Sequence, residues 1–173
     1  ADLSCLVMTE HEFNERVDLL KSKAAVSFSM VGVQLGRIFG KYGNKWPRVI
    51  VDRQGSRAHY RGQLHTLFPE ATIKIVAEVE HLSRYEIKMS DGCGGDRGMI
   101  VTFSKSADGL HFPVAFASML AKYVRELMMK RFNRYFNGLM PELKPTAGYV
   151  QDARRFLVDI ESVINEAGID MSR

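Results

Sequence analysis

The chain has 173 residues, close to the roughly 150 expected of one domain, so a single core is expected. Hydrophobic residues make up 46% and charged residues 25%, which excludes disordered, collagen-like and disulfide-knot classes. Lys and Arg number 24 against 20 Asp and Glu, and the resulting charge of +4 is a mild bias toward polyanionic partners such as nucleic acid.

The two cysteines, Cys5 and Cys93, are too few for a disulfide framework or a four-ligand zinc site, so both are read as free thiols of a reducing cytoplasm. No apolar run approaches the ~18 residues of a membrane span, and no basic leader precedes the first helix. A soluble cytoplasmic protein with no membrane partner is expected. The five histidines, His11, His59, His65, His81 and His111, lack the paired spacing of a zinc site and read as surface or satisfied core residues.

In chain order, residues 3–8 read as the end of a strand. Thr9 and Glu12 form a capping box, and Phe13, Val17 and Leu20 recur at helical spacing after it. Residues 23–43 are a second helix, stopped by Gly43 and Pro47, with Gly32, Gly36 and Gly40 as a smooth stripe suited to close packing. Residues 48–51 are a short β-branched strand ending at Asp52. Residues 57–68 read as helix and 72–79 as strand. Residues 85–89 and 99–103 flank a glycine-rich loop, 90–98, whose spacing is not that of a phosphate-binding loop. Pro113 suits the first turn of a long helix running to about Phe136, with Phe116, Leu120, Tyr123, Leu127 and Met128 on its apolar side. Leu127, Met128 and Met129 are read as helix core. After Pro141 and Pro145 comes a last helix over 150–167. Strands alternating with helices, plus one antiparallel hairpin, predict an α/β layered domain with helices on both faces.

Three places carry candidate chemistry. Asp52, with Arg53 behind it, lies at the carboxyl end of a buried strand, where open α/β sheets bind ligands; a capping or turn aspartate is the alternative. Ser118, Lys122, Arg125 and Glu126 share a helix face at spacings of three and four, either as a site or as a solvated face with a Lys122–Glu126 pair. Tyr149, after Lys144-Pro145-Thr146-Ala147-Gly148, either stacks on a sugar or base or staples the last helix. Lys130, Arg131 and Arg134 continue a basic band that either tracks a phosphate backbone or faces water.

Together and in order, these segments resemble type 2 ribonuclease H (ribonuclease HII). Val49-Ile50-Val51-Asp52 resembles the family's strand ending in its third acidic residue. Lys105-Ser106-Ala107-Asp108 and then Ala115-Phe116-Ala117-Ser118-Met119-Leu120-Ala121-Lys122 are similar to the lysine, Ala-Asp and Ala-Ala-Ser-Ile-x-Ala-Lys run that opens the catalytic helix. Thr146-Ala147-Gly148-Tyr149 through Asp152 is similar to the Gly-Tyr loop whose tyrosine stacks at an RNA-to-DNA junction. The likeness covers residues 49–157. It implies a ribonuclease H-like mixed central sheet flanked by helices, with residues 137–173 as a helical C-terminal extension packed on a single domain.

The resemblance implies a metal-dependent endonuclease, a monomer, that cleaves the RNA strand of RNA/DNA hybrids. Asp52 and Glu126 would be catalytic and would hold Mg²⁺ or Mn²⁺; Arg53, Ser118, Lys122, Arg125 and Tyr149 would bind the nucleic acid. The pattern departs from the family twice. Glu126 stands where the family has aspartate, one methylene longer, and no Asp-Glu dipeptide occurs in the chain. The chain, which begins at Ala1, is therefore expected to lack the domain's N-terminal strands. A nucleic-acid-binding domain of the same fold without catalysis is the alternative, and a scaffold keeping relic motifs is a third.

Overall fold

The computed structural model describes residues 3–90, 92 and 94–168. The chain divides into two compact units, Ala1–Ala117 and Ser118–Arg173, and among the described residues the buried ones gather in two clusters where chain length alone suggests one.

The first unit opens with α1 (Glu10–Leu20), capped by Thr9 and Glu12 in the expected box. The preceding residues 3–8 form no strand, correcting that reading: Leu3 and Val7 are exposed, and no described strand forms a ladder with the segment. Ser22 caps α2 (Lys23–Tyr42) by accepting the Ala25 N–H at 3.2 Å. A 3-10 turn, Gly43–Lys45, and Trp46 in the left-handed region lead into β1 (Arg48–Asp52).

After β1 come α3 (Arg61–Leu67), β2 (Thr72–Val79), β3 (Leu82–Ser90), β4 (Asp96–Ser104) and the short α4 (Ala107–Leu110). Helix α3 starts four residues later than its periodicity suggests. The backbone of 57–60 is claimed from outside: the Ala58 carbonyl accepts the Ser83 hydroxyl, and the Tyr60 N–H donates to Tyr85 Oη at 2.8 Å. Both groups are thereby diverted from a helical ladder. The glycine-rich loop is also shorter than expected, because Asp96, Arg97 and Gly98 belong to β4. Cys93 lies outside the described residues, while Cys5 is a free, exposed thiol.

The sheet is four-stranded and mixed, in the order β1-β4-β3-β2. β1 runs parallel to β4, and the other pairs are antiparallel, with an irregularity between Ile75 and Ala77. Period-2 alternation turns Met99, Val101 and Phe103 of β4 and Tyr85 and Ile87 of β3 toward Phe28, Leu35 and Phe39 of α2 and Leu64 of α3. On the other face, Arg84 Nε donates to Thr102 Oγ1 at 3.1 Å, with Glu86 and Lys88 in the same alternation. Among the described residues, the buried cluster of this unit lies on one face of the sheet.

Helix α5 (Phe112–Leu139) begins in the first unit and forms the spine of the second. There its Phe136 packs with Leu143 of the following loop, Phe156 of α6 (Val150–Asp159) and Ile160. The expected last helix is broken at Ile160, after which α7 (Glu161–Ala167) follows. Leu127 and Met128 are exposed, correcting their reading as helix core, and only Met129 of that run is half-buried; Phe116 and Tyr123 on the apolar side are exposed as well. Successive helical residues turn by about 100°, so three in a row cannot share one face.

Two glycines test this packing in opposite directions. A Cβ at Gly98 would lie 2.6 Å from the Trp46 ring and 2.8 Å from the Ile87 carbonyl, whereas one at Gly36, mid-α2, meets nothing within 4 Å. Gly98→Ala is expected to destabilise the protein by about 1–3 kcal/mol. Gly36→Ala should stabilise it by about 0.5–1 kcal/mol through helix propensity. Urea unfolding of the two variants reads both signs, and a neutral Gly98→Ala would contradict the strand packing.

Candidate functional site

In the first unit the site grows from the β1–β4 pairing. Register sets Asp52 beside Ser104, and the Arg53 N–H extends the ladder to the Ser104 carbonyl at 2.9 Å. The chain then turns through Lys105 and Ser106, whose left-handed φ of 53° starts α4. This returns the Ala107 N–H to Asp52 Oδ1 at 2.8 Å. Asp52 thus caps the first turn of α4, and Oδ2 has no hydrogen bond to any described residue. The Lys105–Asp108 segment, far off in sequence, is brought to the same strand end.

Arg53 turns to other partners. Its Nη1 donates to the Glu80 carbonyl of the β2–β3 turn at 2.6 Å. The loop from Arg53 to Tyr60 is fastened to that hairpin along its length. Tyr60 stacks on Phe103 with centroids 3.7 Å apart, and its hydroxyl accepts the Gln54 N–H at 3.2 Å. Tyr85 donates to Glu78, which His59 also meets at 2.9 Å. The Tyr85 hydrogen bond, more than His59, holds the Glu78 carboxyl below the usual range. Burial, with Glu78 beside it, pushes the Tyr85 phenol up to about 12.

In the second unit the site is built around residues 144–149. Asn133 of α5 brackets Thr146, its Nδ2 donating to the Thr146 carbonyl and its Oδ1 accepting the Thr146 N–H, each at 2.8 Å. Asp152 Oδ2 accepts from Thr146 Oγ1 at 2.8 Å and from the Ala147 N–H at 2.7 Å. Arg155 donates to Asp152 Oδ1 and to the Lys144 and Pro145 carbonyls. Gly148, with φ of +74°, lets the chain pass over Met129. Tyr149 emerges 67% exposed, with the Arg125 guanidinium 4.8 Å from its ring centroid. Arg125 also donates to the Ala147 carbonyl at 2.6 Å and pairs with Glu126 at 3.0 Å.

The structure thus joins Arg125, Glu126 and Tyr149, and in the other unit Asp52 and Arg53. Glu126 pairs with Arg125 in place of Lys122, and no partner engages Lys122 or Ser118 among the described residues. Lys130, Arg131 and Arg134 are exposed. Asn133 escaped the sequence reading although the spacing that groups Ser118, Lys122 and Arg125 or Glu126 continues through Met129 to Asn133. Among the described residues, no group of three or more His, Cys, Asp and Glu side chains is placed to hold a metal ion. No protein-family model, curated protein or solved structure matches the chain.

The loop's anchor has a pH signature. Hydrogen bonds from Arg155, then from Thr146 and the Ala147 N–H, hold the Asp152 carboxyl at about 2. An unfolded aspartate titrates near ~3.9, so the anchoring is complete above that pH and is lost as the pH falls toward the folded value. NMR signals of Thr146, Ala147 and Tyr149 should titrate together with a midpoint at about pH 2. Asp152→Asn should abolish that titration.

Proposed function

We propose that this chain is part of a ribonuclease H-type, metal-dependent endonuclease acting on the RNA strand of RNA/DNA hybrids, with the Tyr149 loop as the surface that meets nucleic acid. The observation that carries the reading is a rigidly anchored loop presenting an exposed aromatic ring backed by a guanidinium. A ring held this way stacks on a sugar or base with little ordering cost, and Arg125 adds charge near the adjoining phosphate. Ser118 and Lys122, without partners among the described residues, would supply a hydroxyl donor and a second cation. Arg53 would neutralise phosphate near the end of β1. A mixed sheet with Asp52 at the end of its parallel strand is compatible with the ribonuclease H-like architecture the resemblance implies.

Bound Mg²⁺ or Mn²⁺ would activate water and stabilise the leaving oxygen in such an enzyme. The carboxylates at hand do not by themselves fit that role. Asp52 Oδ1 is occupied by the Ala107 N–H, Glu126 is paired with Arg125, and neither sits in a cluster of further acidic or histidine ligands among the described residues. This favours a second reading, in which the chain binds hybrid nucleic acid without cleaving it.

Filter binding and cleavage of a labelled hybrid by the full chain separate the two. Tyr149→Ala should weaken hybrid binding by about 1–3 kcal/mol, the cost of one lost base–aromatic stack. Under the nuclease reading, cleavage requires Mg²⁺ or Mn²⁺ and disappears in Asp52→Asn while binding persists. Salt-sensitive binding with no cleavage in either metal establishes the second reading, and cleavage by Asp52→Asn rules out the first.

A further inference from the structure

Arg53 carries a feature that its own unit leaves unexplained. Nη1 is held by the Glu80 carbonyl, yet Nε and Nη2 are buried from solvent with no hydrogen-bond partner. These two nitrogens form the side-on edge of a guanidinium, the pair of parallel N–H donors that engages two oxygens of one carboxylate or phosphate. A buried, charged donor pair without acceptors is among the costliest arrangements in a folded chain, and such orphans mark a missing water or ion.

The guanidinium edge itself calls for an anionic acceptor. Asp52, the adjacent carboxylate, is turned to Ala107. Lys105 is exposed at the same end of the sheet, its N–H donating to the His81 carbonyl at 3.0 Å, and its ammonium has no partner among the described residues. The neighbour that holds Nη1 is a surface turn with Glu80 and His81 both exposed.

We propose that Arg53 and Lys105 form an oxyanion site that works without metal, in which Nε and Nη2 of Arg53 take two oxygens of a phosphate group and Lys105 supplies a second positive charge. The ligand is a tetrahedral phosphate, either a free phosphate or monoester, or a phosphodiester of a nucleic-acid backbone. The Arg53–phosphate contact is shared with the nuclease reading, and the site goes beyond it in needing neither a hybrid nor a metal ion.

The test is an NMR titration of the full chain with inorganic phosphate in the presence of a chelator, following the Arg53 Nε–H resonance, assigned by its loss in Arg53→Lys. A saturable shift is expected at about millimolar phosphate, with none from chloride at equal ionic strength. Binding followed through backbone amides should be lost in Arg53→Lys, which keeps the charge but not the paired donors. Lys105→Gln should weaken it about two- to fivefold. Displacement of phosphate by a short oligonucleotide assigns the site to a phosphodiester, and failure to displace it assigns the site to free phosphate or a monoester. No saturable shift in the wild type, an equal response to chloride, or undiminished binding by Arg53→Lys overturns the proposal. Because metal is absent throughout, these outcomes are independent of whether the chain cleaves a hybrid.

Discussion

Parallel pairing of β1 with β4 is the constraint on which the first unit depends. It lays Val49 and Val51 beside Val101 and Phe103, so the short strand completes the layer that packs against α2. The same register ends Asp52 level with Ser104, and the chain leaving β4 then has no choice but to pass that carboxylate. The Ala107 N–H caps on Asp52, and Arg53 continues the ladder one step before its side chain turns to the β2–β3 hairpin. A one-residue slip would turn Val49 and Val51 away from the core and carry Asp52 with them, which is why burial and site geometry are set by a single choice.

Around that pairing, polar groups do what helical propensity alone would not. The segment between Arg53 and Tyr60 is irregular because Tyr85, Ser83 and Glu80 each claim one of its donors or acceptors, and Tyr60 secures it by stacking on Phe103. The second unit uses the same logic with different residues. Its small core of Phe136, Leu143, Phe156 and Ile160 sets α5 against α6, and the loop between them is fixed by Asn133, Asp152 and Arg155. In both units a loop bearing candidate chemistry is immobilised by side-chain hydrogen bonds to its backbone, so the exposed groups are presented without being free to wander.

Helix α5 shows how amphipathic spacing and burial part company. Its residues Phe112, Phe116, Met119, Tyr123 and Leu127 recur at intervals of four and three, yet all are exposed, while Arg125, Met129 and Asn133 on another side support the Tyr149 loop. Periodicity identifies a helix and its faces. Which face is buried depends on what else is there to cover it.

Much was legible from the residues alone. The Thr9–Glu12 box, the extent of α2 to Gly43, the β-branched run ending at Asp52 and strand β2 over Thr72–Val79 rest on local rules, capping and side-chain period, that act over a few residues. Spacing alone put Lys122 beside Glu126, whereas the structure pairs Glu126 with Arg125. What local rules do not contain was decided by the tertiary structure: residues 3–8 stay unpaired, 57–60 give their backbone to β3, the last helix breaks at Ile160, and buried residues form two clusters. So too were the partners of Asp52, Arg53 and Tyr149, because a hydrogen bond between residues dozens of positions apart exists only once strand register and helix packing have brought them together.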